Sequence, residues 1–285
     1  MSQMNDNMTW EETIQHIRKQ PEYRFLVEKA YFEEQLSLNV ERYRESEEYK
    51  ETLQKIRQTT PNAKRILDIG SGNGITAISF ALDGYDVVTV EPDPSQTIGA
   101  GAIRQLKEEY RLSNIQVYEA FAEEINFKDG EFDIVFARQC MHHAYDLKKF
   151  VAEMSRVLKQ GGMFFTVRDH VIFDEADKVF FLENHPLQKY YGGENAFTPQ
   201  QYTEAIETAG LTIVEVLKYF DSVINYFPEE SKTIARRKKE VVEATRFGKL
   251  LWYFPSIRDR RANIAFEQIE KNIPGRMYSY IAIKK

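Results

Sequence analysis

The spacing of apolar residues changes once along the chain, near Pro61. Before it, residues 10–59 carry apolar side chains three or four positions apart without strict alternation, which predicts helices. After it, short apolar runs alternate with amphipathic stretches, a pattern typical of strands followed by helices. We therefore predict an N-terminal helical segment, residues 1–62, and a main domain, residues 63–285. Because amphipathic helices need a partner surface, the segment is expected to cover the domain as a lid.

Seven apolar runs in the main domain are predicted to be strands: RILDIG, YDVVTVEP, IQVYEA, FDIVFA, GGMFFTVRDH, LTIVEVLKYF and MYSYIAIKK. Helical patterns follow the first, second and fourth of them. A further helix between the fifth and sixth has Thr198 at its N-cap, Pro199 at its first position and Gly210 beyond its end. This alternation predicts an α/β fold, a Rossmann-like and mainly parallel seven-stranded sheet with helices on both faces. Ligands of such sheets bind at the carboxyl ends of the strands.

Two stretches interrupt the alternation. Residues 171–197 are predicted to form a loop insertion, and residues 221–274 a helical cap inserted before the last strand. Long excursions on the ligand side of a sheet commonly act as lids or substrate walls. Within the cap, Phe247, Leu251 and Trp252 are expected to form its core.

The bulk composition narrows the range of partners. The formal net charge is −6 and no apolar run approaches membrane-spanning length, so neither a nucleic-acid nor a membrane partner is expected. The N-terminus lacks the apolar core of a signal peptide, and Cys140 is the single cysteine. We therefore expect a cytoplasmic protein.

The stretch RILDIGSGNGI suggests a cofactor site. Gly70, Gly72 and Gly74 allow the backbone to turn sharply and to approach a ligand closely. Asp68 lies at the end of the preceding strand, and Glu91 ends the next one, where a carboxylate can accept both hydroxyls of a ribose. A nicotinamide dinucleotide would suit the same features, so the turn alone does not identify the cofactor.

The ordered set of segments resembles the class I S-adenosylmethionine-dependent methyltransferases, in their methyltransferase-11-like branch. ILDIGSGNG is similar to the first motif of that family and VEPDP to the acidic second motif. The stretch from EAFAEEINF to LKQGGMFFTV is similar to its third and fourth strands, the helix after them and the following turn. EPDPSQTIGAGAI, RDH and HPLQKYYGGENAF further resemble a subgroup of bacterial methyltransferases. The resemblance implies an antiparallel last strand, S-adenosyl-L-methionine as cofactor and S-adenosyl-L-homocysteine as product.

The resemblance also implies a role for individual residues. The glycine turn would pass under the methionine and ribose, Asp68 would reach the amino group directly or through water, and Glu91 would bind the ribose. Phe121 stands where the family often carries aspartate, so the adenine contact departs from the family pattern there. The cofactor-binding residues so implied are Asp68, Gly70, Ser71, Gly72, Asn73, Gly74, Glu91, Pro92, Asp93, Ala122, Glu123, Arg138 and Gln139.

Histidines follow two strands whose ends should meet at the cofactor. His143 or His170 is predicted to act as the base that deprotonates the acceptor, with Asp169 beside them. Candidate substrate-binding residues are His142, Arg168, Tyr191, Glu194 and Asn195. Arg138 and Arg168 could hold an anionic group together with Arg236 and Arg237. No metal is expected: His142, His143, Asp169 and His170 are a possible ligand set, but adjacent side chains diverge in an extended chain.

The favoured function is methyl transfer from S-adenosylmethionine to a small-molecule, sugar or glycan acceptor, at oxygen before nitrogen or carbon. Two alternatives stay open. One is a NAD-dependent oxidoreductase that uses the same glycine turn, although no Tyr-x-x-x-Lys pair is recognisable in the central part of the chain. The other is a non-catalytic cofactor-binding protein that works through its cap. A homodimer is also left open.

Overall fold

The protein is described from a computed structural model that covers residues 7–245 and 247–285, without the side chain of Leu251. Residues 1–6 of the predicted N-terminal segment lie outside this description. The described α-helices are α1 (Trp10–Arg18), α2 (Arg24–Lys29), α3 (Leu36–Glu45), α4 (Glu47–Thr59), α5 (Ile75–Leu82), α6 (Ala100–Glu109), α7 (Leu147–Val157), α8 (Glu175–Asn184), α9 (Gln188–Tyr191), α10 (Pro199–Thr208), α11 (Val223–Tyr226), α12 (Ser231–Glu243), α13 (Gly248–Leu251) and α14 (Pro255–Glu270).

One seven-stranded sheet forms the centre of the molecule. Its strand order is β3-β2-β1-β4-β5-β7-β6, and only β7 runs antiparallel to its neighbours. The prediction of a Rossmann-like, mainly parallel sheet is therefore confirmed. The strands are β1 (Arg65–Ile69), β2 (Asp86–Val90), β3 (Ile115–Tyr118), β4 (Phe132–Arg138), β5 (Leu158–His170), β6 (Leu211–Leu217) and β7 (Met277–Lys284).

Helices bury both faces of the sheet because the central strands are apolar on both sides. One hydrophobic cluster joins β1, β4 and β5 to α7 and α10, and a second joins the opposite face to α5, α6 and the N-terminal helices. Strand order places β1 between β2 and β4, and β5 next to β4. The carboxyl ends of β1, β2, β4 and β5 therefore share one edge of the sheet.

The N-terminal segment packs on the main domain through buried polar contacts as well as apolar ones. Ser46 caps α4 by accepting a hydrogen bond from the backbone N–H of Tyr49 at 3.1 Å. The side chain of Arg44 donates to Asp83, and so does the hydroxyl of Tyr49, at 2.7 and 2.8 Å. These contacts attach α3 and α4 to the end of α5.

The two insertions differ from expectation. Residues 171–197, predicted to be a loop insertion, contain α8 and α9; Asp174 caps α8 by accepting from the backbone N–H of Asp177, and Arg276 pairs with the side chain of Asp177. In the cap, the core consists of Val223, Tyr226, Ile234 and Phe266. Phe247 is 66% exposed, so its predicted place in the cap core is wrong. The side chain of Leu251 lies outside the described part of the chain. None of the helices in the described ranges combines the length and apolarity needed to cross a bilayer.

Candidate active site

A cavity of about 960 Å³ opens at the carboxyl edge of the sheet. Its wall combines the turn after β1, the ends of β2, β4 and β5, the N-terminal helices and both insertions. This volume lies at the upper end of the roughly 300–1,000 Å³ typical of small-molecule sites.

The glycine turn forms one side of the cavity. Gly70 and Gly72 have φ of +64° and +53°. A Cβ added to Gly70 would lie 2.3 Å from Sγ of Cys140, so only glycine lets the two strand ends approach. Ser71 and Asn73 line the cavity with these glycines, whereas Gly74 lies outside the lining and packs against Ile103.

Asp68 lies beneath this turn and is not part of the cavity wall. Its Oδ2 accepts hydrogen bonds from the hydroxyls of Ser71, at 2.6 Å, and Thr76, while Oδ1 is buried without a partner among the described residues. Burial raises the pKa of Asp68 to about 6. The carboxylate therefore supports the turn. Because Asp68 does not line the cavity, its position favours contact with the amino group of a cofactor through water over direct contact.

Glu91 borders the cavity and closes the turn from the other side. Its Oε2 accepts from the backbone N–H of Gly72 at 2.7 Å and its Oε1 from that of Asp93 at 3.0 Å. Burial raises the pKa of this carboxyl to about 7. Pro92 and Asp93 line the wall beside it, and Phe121, Ala122 and Glu123 line it after β3.

Arg138 and Gln139 line the cavity at the end of β4, but the guanidinium of Arg138 is already engaged. Its Nε donates to Oε1 of Glu48 at 2.7 Å, its Nη1 donates to Oε1 of Gln139 at 2.8 Å, and it lies over the ring of Tyr31. Sequence reasoning missed Glu48, which lies 90 residues away in α4. The positive charge at the methionine end is therefore paired with the N-terminal segment.

The hypothesis of a four-arginine anion site is wrong. Arg168 lines the cavity, yet its Nη1 donates to the carbonyls of Ile224 and Phe227 at 2.7 and 3.1 Å. Arg236 and Arg237 lie on α12 outside the cavity, where their side chains are 71% and 46% exposed and pair with glutamates of the cap.

A cluster of histidines lies opposite the glycine turn. The centroid of the His142 ring lies 4.1 Å from that of His143 and 4.8 Å from that of His170. The centroid of the His170 ring lies 5.8 Å from that of His185. His142 and His143 belong to a short 3-10 helix, Met141–His143, so the extended backbone assumed from the sequence is wrong here. That turn brings both rings to the same cavity.

Asp169 supports this cluster from below and does not line the cavity. Its Oδ1 accepts from the backbone N–H of His142 at 3.1 Å and lies 3.0 Å from Nδ1 of the same ring. Burial raises the pKa of Asp169 to about 7 and lowers the pKa of His142 well below its usual range. Asp169 was predicted to be catalytic together with His143 and His170, but its position suits a residue that orients His142 without contact to a ligand.

Glu194 reaches the cluster from the insertion. Its Oε1 accepts from the hydroxyl of Tyr191 and lies 3.6 Å from Nε2 of His185, and its Oε2 lies 3.8 Å from Nε2 of His142. Asn195, the remaining residue predicted to contact substrate, lies outside the cavity lining. His185 was not among the predicted site residues. Its position nine residues before Glu194 in the same insertion could have indicated that it lies at the site.

The N-terminal helices cover the cavity. Trp10, Phe25 and Leu26 contribute to its wall, and the side-chain amide of Asn73 donates to the carbonyl of Tyr31 at 2.7 Å. Apolar residues at helical spacing predicted helices here, but nothing in that spacing indicated which of them face a ligand.

Comparison with known proteins agrees with this architecture. Residues 67–166, which contain the glycine turn, Glu91 and the first histidine pair, match the methyltransferase domain family. Residues 67–166 therefore form a methyltransferase domain of the class I, S-adenosylmethionine-dependent type. The antiparallel last strand that the resemblance implied is present.

The curated relatives match only part of this chain. It is 37% identical over 106 residues to the uncharacterized methyltransferase YcgJ of Bacillus subtilis, covering 37% of this chain and 40% of that protein. It is 28% identical over 163 residues to the ubiquinone biosynthesis O-methyltransferase of Methylobacterium nodulans, covering 54% of this chain and 61% of that protein. The chain thus spans about two fifths to three fifths of the length of these curated relatives.

Solved structures share the fold over a larger part of the chain. The crystal structure of YcgJ has a TM-score of 0.52 at 21% identity, over 81% of this chain and 97% of that one. The phosphoethanolamine N-methyltransferase 2 of Haemonchus contortus, in complex with S-adenosyl-L-methionine, has a TM-score of 0.54 at 21% identity, over 92% and 60%. At this identity the likeness concerns the fold alone.

Proposed function

We propose that this chain transfers a methyl group from S-adenosylmethionine to an oxygen of a small-molecule, sugar or glycan acceptor, with His143 as the proton acceptor. The observation that carries the proposal is the shared cavity: the turn after β1 and the histidine cluster after β4 and β5 open onto the same space.

The residues of the turn fit the cofactor. Gly70 and Gly72 have positive φ and present their backbone at the cavity wall, and Glu91 offers a buried carboxylate whose oxygens each retain a lone pair for a ribose hydroxyl. Pro92, Asp93, Ala122 and Glu123 would flank the adenine. When bound, S-adenosylmethionine supplies a sulfonium-activated methyl group, and the electron pair of the broken C–S bond stays on the departing S-adenosylhomocysteine. The chain's own part is to align the acceptor and to exclude water.

His143 is the histidine best placed to take the proton of an acceptor hydroxyl. Its ring is exposed to the cavity, whereas Nδ1 of His142 is bound by Asp169 and Nδ1 of His170 by the carbonyl of Gly275 at 2.6 Å. The surrounding protein lowers the pKa of His143, and a backbone hydrogen bond with Gly193 partly offsets this shift. A neutral imidazole at pH 7 can accept a proton.

Aromatic and polar groups around the histidines suit a small polar acceptor. Tyr191, Tyr219 and Phe227 line the wall together with Asn225 and Glu194. The relatives act on unlike atoms, since one is named a ubiquinone biosynthesis O-methyltransferase and a structural neighbour a geranyl diphosphate C-methyltransferase. We propose oxygen as the methylated atom because a neutral histidine can remove the proton of a hydroxyl more readily than that of a carbon nucleophile.

The test is incubation with methyl-labelled S-adenosylmethionine and fractionated metabolites and glycans, with mass detection of methylated products. We expect His143→Gln to lower kcat by roughly 10²–10⁴-fold, the usual contribution of general base catalysis, with unchanged affinity for S-adenosylhomocysteine. His16→Gln, which changes the one histidine outside the cluster, is the matched control.

Three results would contradict parts of the proposal. Full activity of His143→Gln would remove the assigned base. Binding of a nicotinamide dinucleotide in place of S-adenosylhomocysteine would favour the oxidoreductase. Tight binding of S-adenosylmethionine without turnover in any fraction would favour the non-catalytic alternative.

A further inference from the structure

We propose that His170, His185 and Glu194 bind one divalent first-row transition-metal ion at the acceptor side of the cavity. One ligand atom from each of these residues lies within 4.8 Å of the others. On a shared ion with bonds of about 2.0–2.2 Å, such atoms stand roughly 3–3.5 Å apart, so small side-chain shifts complete the site. Two imidazoles and one carboxylate suit Zn²⁺ or Fe²⁺ better than Mg²⁺ or Ca²⁺, which prefer oxygen ligands.

Two atoms of this set lack hydrogen-bond partners. The side chain of Glu194 is 5% exposed, and its Oε2 is buried without a partner among the described residues. The same holds for Nδ1 of His185, whose side chain is 16% exposed. Buried polar atoms are normally paired, so an unpartnered carboxylate oxygen and an unpartnered ring nitrogen in one cluster indicate a missing ligand.

Outer contacts orient two of the three ligands, His170 and Glu194, as is usual for ligands of metal sites. Nδ1 of His170 donates to the carbonyl of Gly275 at 2.6 Å, which leaves Nε2 with a free lone pair. A Cβ on Gly275 would lie 2.4 Å from the ring of Phe181 and 3.1 Å from Nδ1 of His170, so a glycine is needed for this approach. The hydroxyl of Tyr191 donates to Oε1 of Glu194.

An aromatic ring holds the two histidines of the site in place. Phe181 packs against the rings of His170 and His185, with ring centroids 4.7 and 5.6 Å away.

A second set, His142 and His143 with Glu194, meets the same distance criterion. We assign the ion to the deeper set because both orphaned atoms belong to it and because His143 is exposed. This assignment also leaves His143 free as the proposed base. Neighbouring side chains diverge in an extended chain, but His170, His185 and Glu194 come from separate elements, so this divergence does not exclude a metal here.

The role of the ion, unlike the site itself, rests on the proposed methyl transfer. An ion held at this wall would leave a coordination position facing the cavity. An acceptor hydroxyl bound there would lose its proton more readily, because a metal lowers the pKa of a coordinated oxygen. The expected acceptor therefore carries a hydroxyl with a neighbouring oxygen that can chelate the ion.

The test uses full-length, tag-free protein treated with a chelator and then titrated with Zn²⁺ or Co²⁺. We expect one equivalent of metal to bind per chain. Bound Co²⁺ should show the visible absorption bands of an ion with a low coordination number. Glu194→Gln and His185→Gln should weaken binding at least about 100-fold, and Tyr191→Phe about 10–100-fold, as for outer contacts of known metal sites. His16→Gln is the control, and circular dichroism verifies that each variant folds.

The site is overturned if the folded wild-type protein binds no equivalent of metal, or if the Glu194 and His185 variants bind as tightly as wild type. Loss of binding in a His142→Gln, His143→Gln double variant alone would overturn the choice of ligands. Calorimetry with S-adenosylhomocysteine on the metal-free protein is read separately. If the protein binds S-adenosylhomocysteine but no metal, only the metal site is rejected. If it binds the metal but not S-adenosylhomocysteine, only the proposed methyl transfer is rejected.

Discussion

Glu91 combines two tasks at the residue scale. Its carboxylate holds the glycine turn through the backbone N–H groups of Gly72 and Asp93, and it borders the cavity where a ribose is expected. Burial raises its pKa to about 7, because few polar groups compensate the desolvated charge. Only the ionised form accepts hydrogen bonds at both oxygens, so protonation should compete with the cofactor.

We predict that the affinity for S-adenosylhomocysteine rises about tenfold between pH 6 and pH 8. With a pKa of about 7, the carboxyl is mostly protonated at pH 6 and mostly ionised at pH 8, and the apparent affinity follows the competent fraction. Calorimetry across this range measures the slope. Glu91→Gln should bind weakly and with a flat profile, while Glu123→Gln, another carboxyl of the cavity wall, should keep the slope. A flat wild-type profile would contradict the role assigned to Glu91.

At the scale of elements, α1 and α9 meet across the mouth of the cavity. The backbone N–H of Met8 donates to the carbonyl of Tyr190 at 3.0 Å, and the rings of Trp10 and Tyr191 lie 4.7 Å apart. Both rings also line the cavity. This contact joins the N-terminal segment to the insertion that carries Glu194.

Trp10→Ala should loosen α1 from α9. The substitution removes the aromatic pairs of Trp10 with Tyr191 and with Phe32, each worth about 0.5–1.5 kcal/mol beyond its buried area, and should accelerate tryptic cleavage at exposed Lys19 by at least roughly 5-fold. Limited proteolysis with and without S-adenosylhomocysteine measures this change. Tyr253→Ala removes an aromatic side chain that is 80% exposed in the cap and serves as control. Equal cleavage rates in wild type and Trp10→Ala would show that α1 is held by other contacts.

At the scale of the whole molecule, a buried ion pair connects the N-terminal segment to the sheet. Glu48 of α4 is fully buried and pairs with Arg138 at the end of β4, while Nε of Arg168 lies 3.8 Å from the same carboxylate. One carboxylate thus stands between two buried guanidinium groups. Its removal would leave both without their counter-charge.

Glu48→Ala is expected to lower the free energy of unfolding by about 3–5 kcal/mol, the usual cost of breaking a buried ion pair. Urea denaturation measures this loss. Glu45→Ala, at an exposed position of the same helical segment, should change stability by less than about 0.5 kcal/mol. If both variants unfold at the same urea concentration, the lid is held to the sheet by its apolar contacts instead.

The sequence by itself determined the periodic parts of this protein. Strand and helix spacing, the glycine turn and the carboxylate of Glu91 follow from local backbone and side-chain preferences, and His142, His143 and His170 were placed at the right edge because parallel strands end together. The tertiary structure alone decided which distant groups meet. His185 and Glu194 join the other histidines, Glu48 neutralises Arg138, and Arg236 and Arg237 stay outside. Such contacts depend on the packing of insertions and on charge burial, which the spacing of residues along the chain does not encode.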